Sequence, residues 1–363
     1  MRRMFRYIFL LSFLFIQLLF SNEPRQKVKT DVRLATEILP ANGEFPLPPN
    51  AVELELEASL DILDFKAPQR IAGDVTGRIY ISDVLKKKVF VYEPTGKLEY
   101  SLGESRKGKS LLEYPWSVSP SADDTWVQDE SKKKIIVFDK NGNLIDSFKT
   151  DEFEDMARNY HGELFITPLV TDLRQPVVSV YSALGKKIAS FGEPLRFPHS
   201  LATLNRSRLA LSDSNDVYVA YQYFSKIRRY SRDGQLQAEF AIDSNIMKAK
   251  ETSNLKQIGE GIADSTRRVG YFKIISAIRF TEDRLYLLSC FPRLEIIELN
   301  QDGIISATFW KDFDEIVTVE DFLVNKVNGR LKFHLIISSP YAGLDIYKPK
   351  LSAGPGRSSS QKK

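Results

Sequence analysis

Between residues 51 and 349, apolar and polar side chains alternate with period two in short runs broken by glycine turns. Ile79 and Ile81, then Val89 and Val91, each fall on one face of an extended segment, which is the pattern of a half-buried β-strand. The 3.6-residue period of a helix is absent from these runs. Gly77–Asp83 leads into Lys88–Gly96 and then Lys97–Gly103, and the same order returns in Thr125–Asp129, Lys134–Gly142 and Asn143–Phe148. Each unit reads as a strand ending in polar residues, a second strand, a glycine turn and a third strand.

The turn glycines Gly96, Gly142, Gly185, Gly234 and Gly303 are 46, 43, 49 and 69 residues apart. Units of about 40 to 50 residues are the repeat length of propeller blades. Asn141-Gly142 and Asp233-Gly234 are tight hairpin turns, because Gly, and less readily Asn or Asp, tolerates the positive φ such turns impose. Pro94-Thr95-Gly96 makes the same turn with a φ preset by the proline ring. The last spacing is long, and its surplus falls at Asp243 to Gly270, where Lys, Glu, Asn and Ser are dense. That stretch predicts an insertion near 243–270, with a helix over Asn245 to Ile258.

A sixth copy has to be assembled from both ends of the chain. Leu331–Ile337 and Leu344–Tyr347 supply two strands, and a third is available in Val52–Ala58 or in Leu60–Phe65. Pairing the first strand with the last blade closes a ring and hides a sheet edge that would otherwise be exposed. The predicted fold is therefore all-β, a six-bladed β-propeller closed by an N-terminal strand and spanning 51–349.

The run Lys134–Gly142 resembles the core of an NHL-type repeat, in which a basic residue, an apolar strand and an Asp-containing glycine turn recur in six-bladed propellers. Tyr114-Pro115-Trp116-Ser117-Val118 and Phe197-Pro198-His199-Ser200-Leu201 resemble the Pro-led start of that family's innermost strand. The resemblance is architectural. The Asn-His-Leu triplet that names the family is absent at the corresponding Lys86-Lys87-Lys88 and Lys132-Lys133-Lys134. Propellers of this group include protein-binding, sugar-binding and enzymatic members, so the shared fold does not choose among them.

The termini bound the setting. Arg2, Arg3 and Arg6 precede a 13-residue apolar run, Ile8–Phe20, which is a secretory signal pattern and shorter than the roughly 20 residues of a spanning helix. Residues 1–21 are read as a signal peptide, which predicts an exported protein, periplasmic or secreted, with no stable membrane span after its removal. Leu19 is a poor match to the small residue a signal peptidase prefers, so an uncleaved N-terminal anchor is the alternative. Residues 22–50 read as a disordered linker and 350–363 as a disordered basic tail.

The net charge of +4 owes most to the signal, because removing residues 1–21 leaves 48 bases against 47 acids. No basic stripe interleaved with aromatics stands out, so nucleic acid is not an expected partner. The single cysteine, Cys290, excludes an internal disulfide and lies in a strand-like stretch, where it reads as a small buried apolar residue. The expected state is a monomer.

Catalytic motifs are missing. His161, His199 and His334 fall in different repeats, and none belongs to a His-Glu-x-x-His, Cys-x-x-Cys or Gly-x-Ser-x-Gly arrangement. Asp139-Lys140-Asn141-Gly142 has the oxygen spacing that opens a calcium loop, but its glycine comes two positions early and Thr150 stands where a Glu belongs. Asn205-Arg206-Ser207 matches a glycosylation acceptor, which matters only in a eukaryotic secretory host.

In a propeller, loops leading into the innermost strands and loops joining second to third strands meet on one face around the channel. The first set holds Arg70, Tyr114, Trp116 and His199; the second holds Asp83, Asp129, Arg174, Tyr221, Tyr223, Phe224, Arg293 and Tyr341. Aromatic and arginine side chains are the types that dominate binding energy. Trp116, beside a proline, is equally the type that packs between blades. Tyr221, Tyr223 and Phe224 lie too close together to point inward at once, so at least one is expected at the surface as a partner contact.

Two functions follow. One is a scaffold that binds a protein or a glycan through this loop face, with no cofactor. The alternative is a metal-dependent hydrolase or lactonase with a divalent cation such as calcium in the channel, its ligands drawn from separate blades; Glu113, Asp129, Asn205 and Asp283 are examples.

Overall fold

The computed structural model describes residues 45–60, 65–105, 107–196, 202–263, 270–313, 317–339 and 341–350. Residues 1–21, expected as a signal segment, most of the expected linker, His199, most of Leu60–Phe65 and nearly all of the expected tail lie outside the described residues.

The first strand is β1 (Ala51–Leu60). Four antiparallel sheets of four strands follow in chain order. They are β2 (Pro68–Gly73), β3 (Ile79–Asp83), β4 (Lys88–Tyr92) and β5 (Leu98–Leu102); then β6 (Pro115–Pro120), β7 (Asp124–Asp129), β8 (Lys134–Asp139) and β9 (Leu144–Lys149). Next come β10 (Phe153–Arg158), β11 (Leu164–Pro168), β12 (Val178–Tyr181) and β13 (Lys187–Phe191); then β14 (Ser207–Leu211), β15 (Val217–Tyr221), β16 (Lys226–Tyr230) and β17 (Leu236–Ala241). The remaining strands are β18 (Ala277–Thr281), β19 (Arg284–Cys290), β20 (Leu294–Leu299), β21 (Ile305–Lys311), β22 (Thr318–Val327), β23 (Arg330–Ser339) and β24 (Gly343–Pro349). With β1 they make one eight-stranded sheet in the order β18-β19-β20-β21-β1-β24-β23-β22.

The sheets stand around a centre. β2 packs against β6 and β22, β6 against β10, β10 against β14, β14 against β18, and β18 against β22. Burial follows distance from that centre. All five residues of β3 and of β15 are buried, because sheets cover them on both faces, whereas β9 at an outer edge is exposed at five of its six positions. The outer strands still couple neighbouring sheets. Phe148, Phe191 and Phe240 lie over the turn glycines Gly185, Gly234 and Gly303 of the next unit, so closely that a Cβ there would fall 2.3 to 2.5 Å from a ring carbon. These glycines serve the turn by their positive φ and the packing by having no side chain.

β1 joins the two ends of the chain. It runs antiparallel to β24, with Leu54 opposite Pro349 and Leu60 opposite Leu344, and parallel to β21, with Val52 opposite Phe309. Its alternation is used on both faces. Leu54 is fully buried against Phe309, Phe333 and Tyr347, while Glu53, Glu55 and Glu57 pair with Lys350 at 2.7 Å, Lys348 at 3.4 Å and Lys332 at 2.8 Å. The expected N-terminal strand is thus present beside the last one. The C-terminal unit holds one strand more than its sequence pattern suggested, since β22 (Thr318–Val327) carries Glu320, Asp321, Asn325 and Lys326 among its apolar residues.

The insertion is helical over α1 (Asn245–Ala263), longer than the Asn245–Ile258 reading. Its first turn is capped by the Ser244 hydroxyl, which accepts the Met247 N–H. Among the described residues no helix is long and apolar enough to cross a membrane.

Candidate functional site at the channel mouth

Four of the innermost strands carry a bulge near their first residues, between Pro68 and Arg70, Pro115 and Ser117, Phe153 and Asp155, and Val319 and Asp321. The inserted residues are Gln69, Trp116, Glu154 and Glu320. A bulge adds one residue on one strand and re-aims the neighbouring side chains, which here sets polar groups between the innermost strands.

Two of the re-aimed carboxylates tie neighbouring strands together. Asp155 accepts the Leu209 N–H at 3.1 Å, and Asp321 accepts the Ile71 N–H at 3.1 Å together with a charge-assisted bond from Arg279. Arg279 also donates to the Ile71 carbonyl at 3.0 Å, so one guanidinium links β18 to β2 across β22. Arg208 does the same on the opposite side, donating to the Ser276 carbonyl at 2.8 Å and the Glu154 carbonyl at 2.9 Å.

Charged groups of both signs meet here, with Glu154 and Asp321 among the acids. Arg70 is almost fully buried, with its guanidinium 5.1 Å above the Trp116 ring, one bond to the Gln69 carbonyl, and a buried Nη2 that meets no partner among the described residues. Loss of solvent, and next the charge of Arg70, lower the Arg208 guanidinium to about 10. Lys273 enters from the segment before β18; enclosure by protein, and then Arg208, lower its ammonium to about 8. Burial alone would raise the Glu154 carboxyl, but Arg206 and Arg208 hold it below the usual carboxylate range. Arg206 is its direct partner at 2.5 Å.

The helix walls one side of this mouth. Asn254 on α1 ties the Tyr223 and Phe272 carbonyls at 2.9 Å each and accepts the Phe272 N–H at 2.7 Å. Lys250, fully buried, donates to Ser289 Oγ at 3.0 Å, and loss of solvent lowers its ammonium to about 8. The helix thereby fixes the segment that carries Lys273.

The residues singled out in the sequence divide into three groups. Arg70, Trp116 and Tyr114 come together, the two rings stacked with centroids 6.1 Å apart. A second group is engaged inside the protein. Tyr221 is fully buried beneath Arg228, and Phe224 is buried against Leu195, Leu204 and Ile258 of α1; of the three aromatics expected to leave at least one at the surface, Tyr223 is half-buried and packs 6.1 Å from Tyr271. Arg293 forks onto Glu295 at 2.8 Å and reaches the Phe45 carbonyl. Asp83 and Asp129 are fully buried loop clamps: Asp83 accepts the N–H groups of Lys66, Ala67, Leu85 and Lys86, and Asp129 those of Glu113, Tyr114 and Lys132. The third group makes contacts within its own loops. Arg174 is exposed and paired with Asp172 at 2.5 Å, and Tyr341 donates to Asp345 at 2.6 Å.

The four residues offered as possible metal ligands do not converge. Asn205 is buried, its amide bonded to both backbone groups of Leu195, which also removes it as a surface glycosylation acceptor. Asp283 occupies the turn between β18 and β19, at the far end of β18 from Ser276. Among the described residues no group of three or more His, Cys, Asp or Glu is arranged to hold a metal ion. Sequence reasoning missed Arg208, Lys273 and Glu154; the one available signal was charge inside segments flanked by strands.

No protein-family model and no curated protein matches the chain. Solved structures do. Virginiamycin B lyase from Staphylococcus aureus aligns with a TM-score of 0.51 at 14% identity over 82% of this chain and 100% of its own. A Bacteroides fragilis protein named as a candidate exported protein aligns at 0.54, with 11% identity over 83% and 99%. Regucalcin from Agrobacterium tumefaciens, named as a calcium-binding protein, aligns at 0.50, with 10% identity over 83% and 95%. The fold is propeller-like. At these identities the likeness concerns the fold alone.

Proposed function

We propose that this chain is an exported six-bladed propeller that binds a protein or glycan on the face carrying the channel mouth, with no chemistry of its own. The eight-stranded sheet is read as two blades, β18 to β21 and β22 to β24, with β1 completing the second and bridging to the first. The observation that carries the reading is the make-up of the mouth: Arg70 on Trp116 with Tyr114 beside it, and Arg208 and Lys273 close by. Such side chains bury large area at small entropic cost and keep polar contacts. The export half rests on the basic and apolar opening of the chain and on the company of a similarly folded candidate exported protein.

The alternative is the hydrolase or lactonase with a divalent ion in the channel, in keeping with a calcium-binding protein and a lyase of similar fold. Metal content of the purified protein by mass spectrometry, paired with melting temperatures in EDTA and in added calcium, separates the two. The binding reading expects no stoichiometric divalent ion and no shift. An ion whose removal lowers the melting temperature overturns it.

A further inference from the structure

Asn328 and Gly329 are the central residues of the turn that joins β22 to β23, since Val327 pairs with Arg330 on either side of them. Both hold positive φ, +52° and +76°, the combination of a type I′ turn. The peptide bond between them is unattached: among the described residues neither the Gly329 N–H nor the Asn328 carbonyl makes a hydrogen bond. Both residues are exposed, and a Cβ on Gly329 would meet nothing within 4 Å.

Asn141-Gly142 is the same pair under restraint. The Gly142 N–H donates to the Asp139 carbonyl at 3.0 Å, and the Asp139 carboxylate accepts the N–H groups of Asn141 at 2.9 Å and Asn143 at 2.8 Å. Leu102 covers Gly142, 3.2 Å from where a Cβ would stand. Another Asn-Gly, at Asn42-Gly43, lies outside the described residues.

The carbonyl carbon of an asparagine side chain is within reach of the next backbone nitrogen when the intervening peptide can turn and no side chain follows. In the β22–β23 turn, a flip of the central peptide converts type I′ into type II′, and Gly329 accepts either sign of φ. The flip swings the Gly329 nitrogen toward the Asn328 side chain and breaks no hydrogen bond among the described residues. At Asn141 the corresponding motion first breaks the bond from Gly142 to Asp139.

We infer that Asn328 is a site of spontaneous deamidation in the folded protein, and that Asn141 is protected from it. The Gly329 nitrogen attacks Cγ of Asn328, and the side-chain nitrogen leaves as ammonia with the proton that Gly329 gives up, which closes a succinimide ring. Water reopens the ring. Its attack at Cγ breaks the new bond and leaves aspartate, whereas its attack at the backbone carbonyl leaves isoaspartate, with the chain running through Cγ. Water is the only other reactant. Either product places a carboxylate next to the exposed Arg330, and isoaspartate adds a methylene to the backbone of a tight turn.

Incubation of the folded full chain at mildly alkaline pH, followed by peptide mass spectrometry with chromatographic separation of isoaspartate from aspartate, tests it. Circular dichroism of the same samples establishes that the chain stays folded. Asn328 is expected to convert at least about tenfold faster than Asn141, whose turn has several hydrogen bonds to give up first. In urea the gap is expected to close, because only the fold distinguishes the two pairs. Equal rates in the folded protein, or conversion of Asn328 in urea alone, overturn the site. A gap that persists unchanged in urea overturns the structural cause and assigns the difference to the flanking residues.

Discussion

Asp321 repeats on one side of the ring what Asp155 does on the other: each stands at a bulge and accepts the N–H of the next innermost strand, Ile71 or Leu209, at 3.1 Å. The two differ in company. Asp321 also pairs directly with Arg279, whose side chain is 21% exposed, while among the described residues the hydrogen bonds that Asp155 accepts all come from backbone N–H groups. Asp155→Ala is therefore expected to cost about 1–3 kcal/mol, the penalty for buried donors left unmet. Asp321→Ala is expected to cost more, about 3–5 kcal/mol, because it strands a cation as well. Urea denaturation measures both, and equal losses would count against the share given to the ion pair.

The contact between Phe191 and Gly234 makes a comparison possible within one protein. Gly234 and Gly329 have similar positive φ, +85° and +76°, but a Cβ on Gly234 meets the Phe191 ring at 2.5 Å, whereas one on Gly329 meets nothing within 4 Å. Gly329→Ala should cost only the backbone strain, about 1–2 kcal/mol. Gly234→Ala should cost a further ~1–3 kcal/mol from overpacking. Melting curves that rank the two equally would remove the ring contact from the account.

His334 gives the fold a pH dependence of definite sign. It is buried on β23, its Nδ1 meets no partner among the described residues, and burial followed by the charge of Lys332 lowers it from 6.5 to about 4. The unfolded chain binds that proton at a higher pH than the folded one, so stability contributed by the neutral ring is whole above pH 6.5 and declines as pH falls toward 4. A shift of this size corresponds to about 3 kcal/mol. His334→Gln should flatten the profile between pH 6.5 and 4 relative to the wild type. Parallel profiles for the two proteins would show that another group titrates there.

Closure by β1 combines a buried apolar anchor with four surface ion pairs, from Glu53 to Lys350 and Lys311, from Glu55 to Lys348 and from Glu57 to Lys332. Exposed pairs contribute roughly 0.2–1 kcal/mol each, and are weakened by salt. The triple change of Glu53, Glu55 and Glu57 to Gln should thus lower the denaturation midpoint slightly in dilute buffer and hardly at all in about 1 M salt. Leu54→Ala, which opens a cavity against Phe309, Phe333 and Tyr347, should cost about 2–5 kcal/mol at any salt concentration. Denaturation at two ionic strengths separates these contributions.

The sequence revealed the strands whose two faces are dry and the turns whose φ only glycine takes easily, and for that reason the repeat and the joining of the ends were legible. The innermost strands were harder to see. Phe-Glu-Asp-Met-Ala-Arg in β10 and Thr-Val-Glu-Asp-Phe-Leu in β22 place charges where a strand pattern expects apolar residues, because Asp155 and Asp321 bond across to the neighbouring innermost strands. The candidate site is made of the same residues, so it was hidden with them. Arg70 and Trp116 were recognisable from their place beside a proline or at the start of a unit. Arg208 and Lys273 gain meaning only when distant segments meet. Tyr221 and Phe224 are the buried members of their trio because α1 packs over them, and nothing in their own neighbourhood announces that cover.

The strand made first is used last. Leu54 finds its place opposite Pro349, so Ala51–Leu60 waits through the synthesis of nearly all of the remaining sheets with an apolar side chain uncovered and a bare edge on offer. A contact so distant along the chain is slow to form, and until it forms the growing polypeptide is an open arc able to pair with another copy of itself. The interval between release of the C-terminal strand and capture of β1 is accordingly the one in which crowding of nascent chains favours strand exchange.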